Sequence, residues 1–140
     1  MIKIKLLILG ANSFLGSNFL SQIIKNKNIE CFATININDF RIKRNYYKAN
    51  KIIKINLLDE EKITRILHLL KPNILINFSG TSNKFANKKE CSLNIKIVKN
   101  ILHSIIKSKI KIKHFYNIGS SEEYVDSKKL ISENSKIGSK

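Results

Sequence analysis

The chain has little acid, little glycine, one proline and two cysteines, and each shortage excludes something. Cys31 and Cys91 stand far apart with no C-x-x-C spacing, which argues against a metal site and leaves a disulfide framework without support. They read as reduced, buried thiols of a cytoplasmic protein. His68, His103 and His114 share neither ligand spacing nor an acidic partner and read as ordinary surface or boundary residues. No metal is expected. No apolar run approaches the roughly 20 residues that cross a bilayer, so no membrane partner is expected either. The opening "MIKIKLLILGANS" is apolar, but lysines interrupt it and no small-residue cleavage site follows. A buried strand explains it better than a signal peptide. Acidic residues number 10 against 26 basic ones, a net charge of +16. That imbalance suits a nucleic-acid binder, yet the lysines are scattered and no aromatics interleave with them on one stripe. Lysine, isoleucine and asparagine fill nearly half the chain, which is a compositional drift of the whole protein. Nonspecific, salt-sensitive adhesion to polyanions follows. A specific nucleic-acid partner does not.

What is present is an alternation. The 140 residues suffice for one domain with a real core. "IKIKLLIL" (Ile2 to Leu9), "IECFATI" (Ile29 to Ile35), "KIIKI" (Lys51 to Ile55), "NILINFSG" (Asn73 to Gly80) and "KIKHFYNIG" (Lys111 to Gly119) read as apolar, β-branched strands. Between them lie amphipathic segments. "SFLGSNFLSQIIKNK" carries Phe14, Leu15, Phe19, Leu20, Ile23 and Ile24 at helical spacing. "DEEKITRILHLLK" has Asp59 as its N-cap, acids in the first turn and Lys71 near its end. Pro72, the single proline, stops it. "CSLNIKIVKNILHSIIKSK" places Leu93, Ile97, Ile101 and Ile105 four apart. Strands separated by helices imply right-handed crossovers and a parallel sheet. From Ser121 to Lys140 the chain is polar, rich in serine and lysine, and without periodicity.

The first strand-to-helix turn, "LILGANSFLGSNFL", is spaced G-x-x-S-x-x-G. Gly10 permits a tight turn and Gly16 permits close helix–strand packing. The middle position of such loops lets the backbone approach a pyrophosphate at the positive helix N-terminus. Here Ser13 stands there, and its hydroxyl can cap the helix and donate to phosphate. After the second strand, where an acid would take the ribose hydroxyls of NAD, the chain reads "TININDFRIKR". Ile35 and Asn36 occupy the position, and Arg41, Lys43 and Arg44 follow, suited to the 2′-phosphate of NADP. NADP is therefore slightly favoured over NAD.

Together these motifs resemble the N-terminal part of an extended short-chain dehydrogenase/reductase, of the NAD-dependent epimerase/dehydratase family that modifies nucleotide sugars. "LGANSFLGS" resembles the family's glycine-rich loop, which assigns Gly10, Asn12, Ser13, Phe14, Leu15 and Gly16 to the cofactor. "INLLD" resembles its G-D-L-x-D segment beside the adenine, with Asn56 for the usual Asp and Leu57 retained. "KPNILINFSG" resembles the fourth strand, so Phe78, Ser79 and Gly80 would pass beside the cofactor. Asn94 falls where the next helix usually carries an Asn. "FYNIGSSEEYV" resembles the fifth strand and its S-S-x-x-x-Y-G signature, with Val125 for Gly.

The resemblance implies a Rossmann-type doubly wound parallel sheet of about five strands, incomplete relative to the full family fold. It divides the chain into a NAD(P)-binding domain over 1–120 and a polar loop over 121–140 leading toward a catalytic helix. It implies hydride transfer at a sugar carbon in a longer protein, with Ser120 as the catalytic serine. "YVDSK" places Tyr124 four residues before Lys128, the spacing of the catalytic pair. By the resemblance, however, Tyr124 is the signature tyrosine, and the catalytic Tyr and Lys belong to a later helix. A residue four positions past a strand end is also poorly placed to reach a helix beside the nicotinamide. Whether the chain is an enzyme turns on that helix. The alternative is a noncatalytic dinucleotide-binding sensor or partner-binding module. An incomplete sheet would expose Phe115, Tyr116 and Ile118 on an edge, through which copies could self-associate.

Overall fold

Successive residues of the first strand bury on opposite faces of a sheet. Leu7 and Leu9 enter one core with Phe32, Leu67, Leu75 and Ile101. Leu6 and Ile8 enter another with Leu20, Cys31, Ala33 and Ile76. This is why the strand is apolar at consecutive positions and does not alternate with polar ones. The computed structural model describes residues 3–38, 49–80, 88–119 and 132–136, with side chains in the last helix from residue 92. The order is β1 (Ile4–Leu9), α1 (Phe14–Ile23), β2 (Ile29–Asn36), β3 (Lys51–Ile55), α2 (Glu60–Leu70), β4 (Ile74–Asn77), α3 (Lys88–Ser108) and β5 (His114–Asn117). The five strands form one sheet in the order β3-β2-β1-β4-β5, and every pairing is parallel. This is the parallel sheet that the alternation predicts, in the Rossmann-like α/β arrangement that the resemblance implies. Among the described residues no helix is long and apolar enough to cross a membrane.

The helices start where short polar side chains can take the first amides. Ser13 caps α1, its Oγ accepting from the Gly16 N–H at 3.0 Å. Asp59 caps α2, accepting from the Lys62 N–H at 3.0 Å, with Glu60 and Glu61 in the first turn. Helix α2 stops at Leu70 because Lys71 turns left-handed (φ 47°), and the following Pro72 disfavours a helical conformation there. Helix α3 begins at Lys88, one turn earlier than its apolar stripe suggests. The stripe itself faces inward: Ile101 is fully buried, and Ile97 and Ile105 pack on the same core. In α1 the outcome is mixed. Leu20 is fully buried, whereas Phe14 is 77% and Leu15 55% exposed.

Candidate functional site

In a parallel sheet all strands end on the same side. From β1 the chain passes outward to β2 and β3, then crosses back to β4 on the other flank. The connections that leave β1 and β4 therefore diverge, and a crevice opens between them. A cleft of about 410 Å³ lies there. It is lined by Gly10, Asn12 and Ser13 after β1, by Thr34, Ile35 and Asn36 of β2, and by Ile55, Asn56, Leu57 and Leu58 after β3. Ser79 and Gly80 after β4 and Leu93, Asn94 and Ile97 of α3 complete it. None of these side chains carries a formal charge. The field in the cleft comes from backbone dipoles, the N-terminus of α1 and the basic protein around it.

The glycine loop is built tightly. Gly10 sits at φ +70°, and a Cβ there would lie 2.7 Å from the Ser79 Cα. A Cβ on Gly16 would lie 2.6 Å from the Gly10 carbonyl oxygen and 2.8 Å from Ser13 Oγ. Both glycines are thus required by close approach, one of loop to β4 and one of helix to loop. Thr34, buried in β2, holds the turn from below: its Oγ1 accepts from the Gly10 N–H at 3.3 Å, and its carbonyl accepts from the Ala11 N–H at 2.8 Å.

Two asparagines shape the β2–β3 flank in the same way. Asn36 Oδ1 accepts from the Asn38 N–H and Asn56 Oδ1 from the Leu58 N–H, each at 3.0 Å. Both carbonyl ends are turned to their own backbone. Leu57, Leu93 and Ile97 give that flank an apolar wall. Asn100 of α3 steadies it by donating to the Leu57 carbonyl at 3.3 Å. On the β4 flank the backbone of Gly80 runs so close to α3 that an added Cβ would meet Asn94 Oδ1 at 3.3 Å.

The structure brings Gly10, Asn12, Ser13, Asn36, Asn56, Leu57, Ser79 and Gly80 to one cleft. Gly16 supports the loop from beneath. Phe14 and Leu15 stand at the start of α1 with exposed side chains, so what they can offer a ligand is their first-turn amides. Phe78 does not line the cleft; its ring packs against Phe19 at 5.3 Å in the core under α1. Arg41, Lys43, Arg44, Ser120, Tyr124 and Lys128 lie outside the described residues. The Tyr–Lys spacing of "YVDSK" recurs at Tyr47 and Lys51. There Lys51 opens edge strand β3, at the opposite end from Ile55, which lines the cleft. Thr34, Leu58, Leu93 and Ile97 escape a reading of motifs. For Thr34 a signal exists, a lone hydroxyl in an otherwise apolar buried strand.

The sequence matches the model of the NAD dependent epimerase/dehydratase family over residues 6–139. The chain belongs to that family. No curated protein matches it. Among solved structures, this family member is similar to the UDP-Glc/GlcNAc 4-epimerase of Campylobacter jejuni, with TM-score 0.84 and 17% identity over 96% of this chain and 43% of that one. It is similar to the Bordetella bronchiseptica enzyme WbmG, solved with NAD, with TM-score 0.81 and 16% identity over 97% and 44%. It is also similar to the UDP-glucose 4-epimerase of Brucella ovis, solved with NAD, with TM-score 0.80 and 13% identity over 96% and 42%. The chain spans less than half the length of these neighbours.

Proposed function

We propose that the cleft binds a nicotinamide dinucleotide and that the chain is the cofactor-binding portion of a nucleotide-sugar epimerase, dehydratase or reductase. The observation that carries this is the Gly10–Ser13 turn. It leaves the central strand at the sheet's switch point, delivers the chain into the N-terminus of α1, and is packed so closely that neither Gly10 nor Gly16 behind it has room for a Cβ. The first-turn amides of Phe14 and Leu15 and the Ser13 hydroxyl would take the pyrophosphate. The apolar wall of Leu57, Leu93 and Ile97 would take the adenine.

NADP suits the β2–β3 flank better than NAD. An unphosphorylated ribose needs an acceptor for its hydroxyls, and no carboxylate stands at the end of β2. Asn36, with its carbonyl turned to the Asn38 N–H, presents its NH₂ to a ligand. A donor there suits a 2′-phosphate, as do Arg41, Lys43 and Arg44 further along.

The bound cofactor would supply hydride transfer at a sugar carbon. Ser120 would orient the sugar oxygen, with an acid/base tyrosine from the later helix of the family pattern. A nucleotide sugar is the substrate class, in line with the UDP-linked substrates named for the neighbours. The setting is cytoplasmic, and copies of the chain associate through the β5 edge. Titration calorimetry with NADP and NAD tests the reading. Weak, saturable heats with NADP the tighter ligand support it. Absence of heat with both dinucleotides sinks it.

A further inference from the structure

The polar groups at the end of β4 form a chain whose hydrogen-bond directions can be assigned. Asn77 is 1% exposed, so its carboxamide must be satisfied internally. Its Oδ1 lies 3.1 Å from the backbone N–H of Ser79. That N–H can only donate, so the carbonyl end of Asn77 must face it; a flipped amide would set NH₂ against N–H. The same Oδ1 is in close contact with Ser79 Oγ. A carbonyl oxygen cannot donate, so the shared hydrogen belongs to the serine. The NH₂ end of Asn77 in turn donates to Asn117 Oδ1 on β5 at 2.8 Å.

The Ser79 hydroxyl has one hydrogen, and Asn77 takes it. Toward the cleft Ser79 has only lone pairs. We propose that Asn77 fixes Ser79 as a hydrogen-bond acceptor, and that Ser79 receives a ribose hydroxyl of the bound dinucleotide. This rests on the reading of the cleft as a dinucleotide site. The topology selects which ribose. The glycine loop follows the central strand β1, Leu57 of the adenine wall follows β3 on one flank, and Ser79 follows β4 on the other. A dinucleotide whose pyrophosphate lies over Gly10–Ser13 must send its second nucleoside toward β4, so the hydroxyl belongs to the nicotinamide ribose. The cleft is thereby divided by polarity. Donors at Asn36 and the α1 N-terminus meet phosphates, and an acceptor at Ser79 meets a sugar hydroxyl. Asn77 is a positioning residue that acts through Ser79.

The test compares NADP with ADP, which carries the adenosine and pyrophosphate but no second ribose at the β4 flank. Titrations are run on the wild-type chain and on Ser79→Ala, a small change at a half-buried position whose Tm is checked alongside. The expected result is a loss of roughly 5- to 10-fold in NADP affinity, the size of one hydrogen bond, with ADP affinity and Tm unchanged. Equal NADP affinity in the two proteins overturns the assignment while leaving the dinucleotide site standing. A parallel loss for NADP and ADP also overturns it, since Ser79 would then be acting on the phosphate loop. Wild-type protein that binds neither ligand overturns the functional reading itself, and this inference with it.

Discussion

Gly10 and Ser79 touch through their backbones: a Cβ on Gly10 would lie 2.7 Å from both the Cα and the N of Ser79. The turn after β1 and the turn after β4 are therefore one packed unit, although 69 residues of numbering separate them. The contact brings a phosphate-type loop and the polar end of β4 to the same cleft. It also couples any distortion of one to the other.

The first prediction concerns that contact. Gly10→Val should abolish dinucleotide heat in calorimetry and lower stability by about 1–3 kcal/mol. It adds a branched side chain at φ +70° and drives it into backbone, which cannot move aside as a flexible side chain could. Gly16→Ala should act in the same direction, since its Cβ would meet the Gly10 carbonyl at 2.6 Å. A Gly10→Val protein with wild-type urea midpoint and wild-type heats would contradict the packing described.

Asp59 offers a prediction in pH. The Lys62 backbone N–H that it accepts holds its carboxyl below the usual aspartate range, with the Lys62 side chain assisting. A depressed folded-state pKa contributes stability that is present above the unfolded value and lost as pH falls through the folded one. Asp59→Asn keeps a capping oxygen and removes the charge. Urea midpoints should therefore favour wild type over Asp59→Asn at pH 7, and the gap should close under acid. A gap that persists at full protonation would assign it to something other than the ionised cap.

Much of the fold is readable from residue order, because a strand buried on both faces writes itself as consecutive apolar residues, and "LLIL" and "CFATI" do so. The Asp59 cap and the Leu93–Ile105 stripe are legible for the same local reasons. The cleft is legible where a backbone requirement forces a residue type, as at Gly10 and Gly16. It is not legible where tertiary packing alone brings a residue in. Ile97 is one more member of a helical stripe until the sheet places it opposite Leu57. Phe78 shows the converse. It lies within a motif that runs beside the cleft, but strand alternation turns its ring the other way, onto Phe19. The Asn77–Asn117 pair depends on the register of β4 with β5, which residue order alone does not display.

Cys31 yields a prediction about reactivity. Burial pushes its thiol up to about 11, and it is buried in the core on the α1 side. The thiolate is the reactive form, so alkylation mapped by mass spectrometry should miss Cys31 in the native chain near pH 8 and find it in urea. The raised value also has a sign. Its stability contribution is fully present below the unfolded value and is lost as pH rises from about 9 through about 11. Wild type should therefore lose more stability than Cys31→Ala between pH 8 and about pH 10.5. Rapid native labelling at Cys31 would contradict its burial.

The last prediction concerns β5. It is the outermost strand of the described sheet on its side, its own four residues include no Lys, Arg, Asp or Glu, and Tyr116 is 50% and the following Ile118 42% exposed. Edge strands with exposed apolar residues pair with other chains unless something prevents it. Here the opposing force is the net charge of +16, which repels a second copy. The two forces respond differently to salt. Screening weakens the repulsion and leaves strand pairing and apolar burial largely intact. Sedimentation should therefore show self-association that grows with protein concentration and grows again as salt is raised. Ile118→Lys and Tyr116→Lys should suppress it, because each places a charge on the edge while leaving the buried faces of β4 and β1 untouched. Adhesion to a polyanion would show the reverse salt dependence, so the two kinds of association can be separated in one titration. A chain that stays monomeric at every salt concentration, or whose association ignores Ile118→Lys, would show that the β5 edge is not what brings copies together.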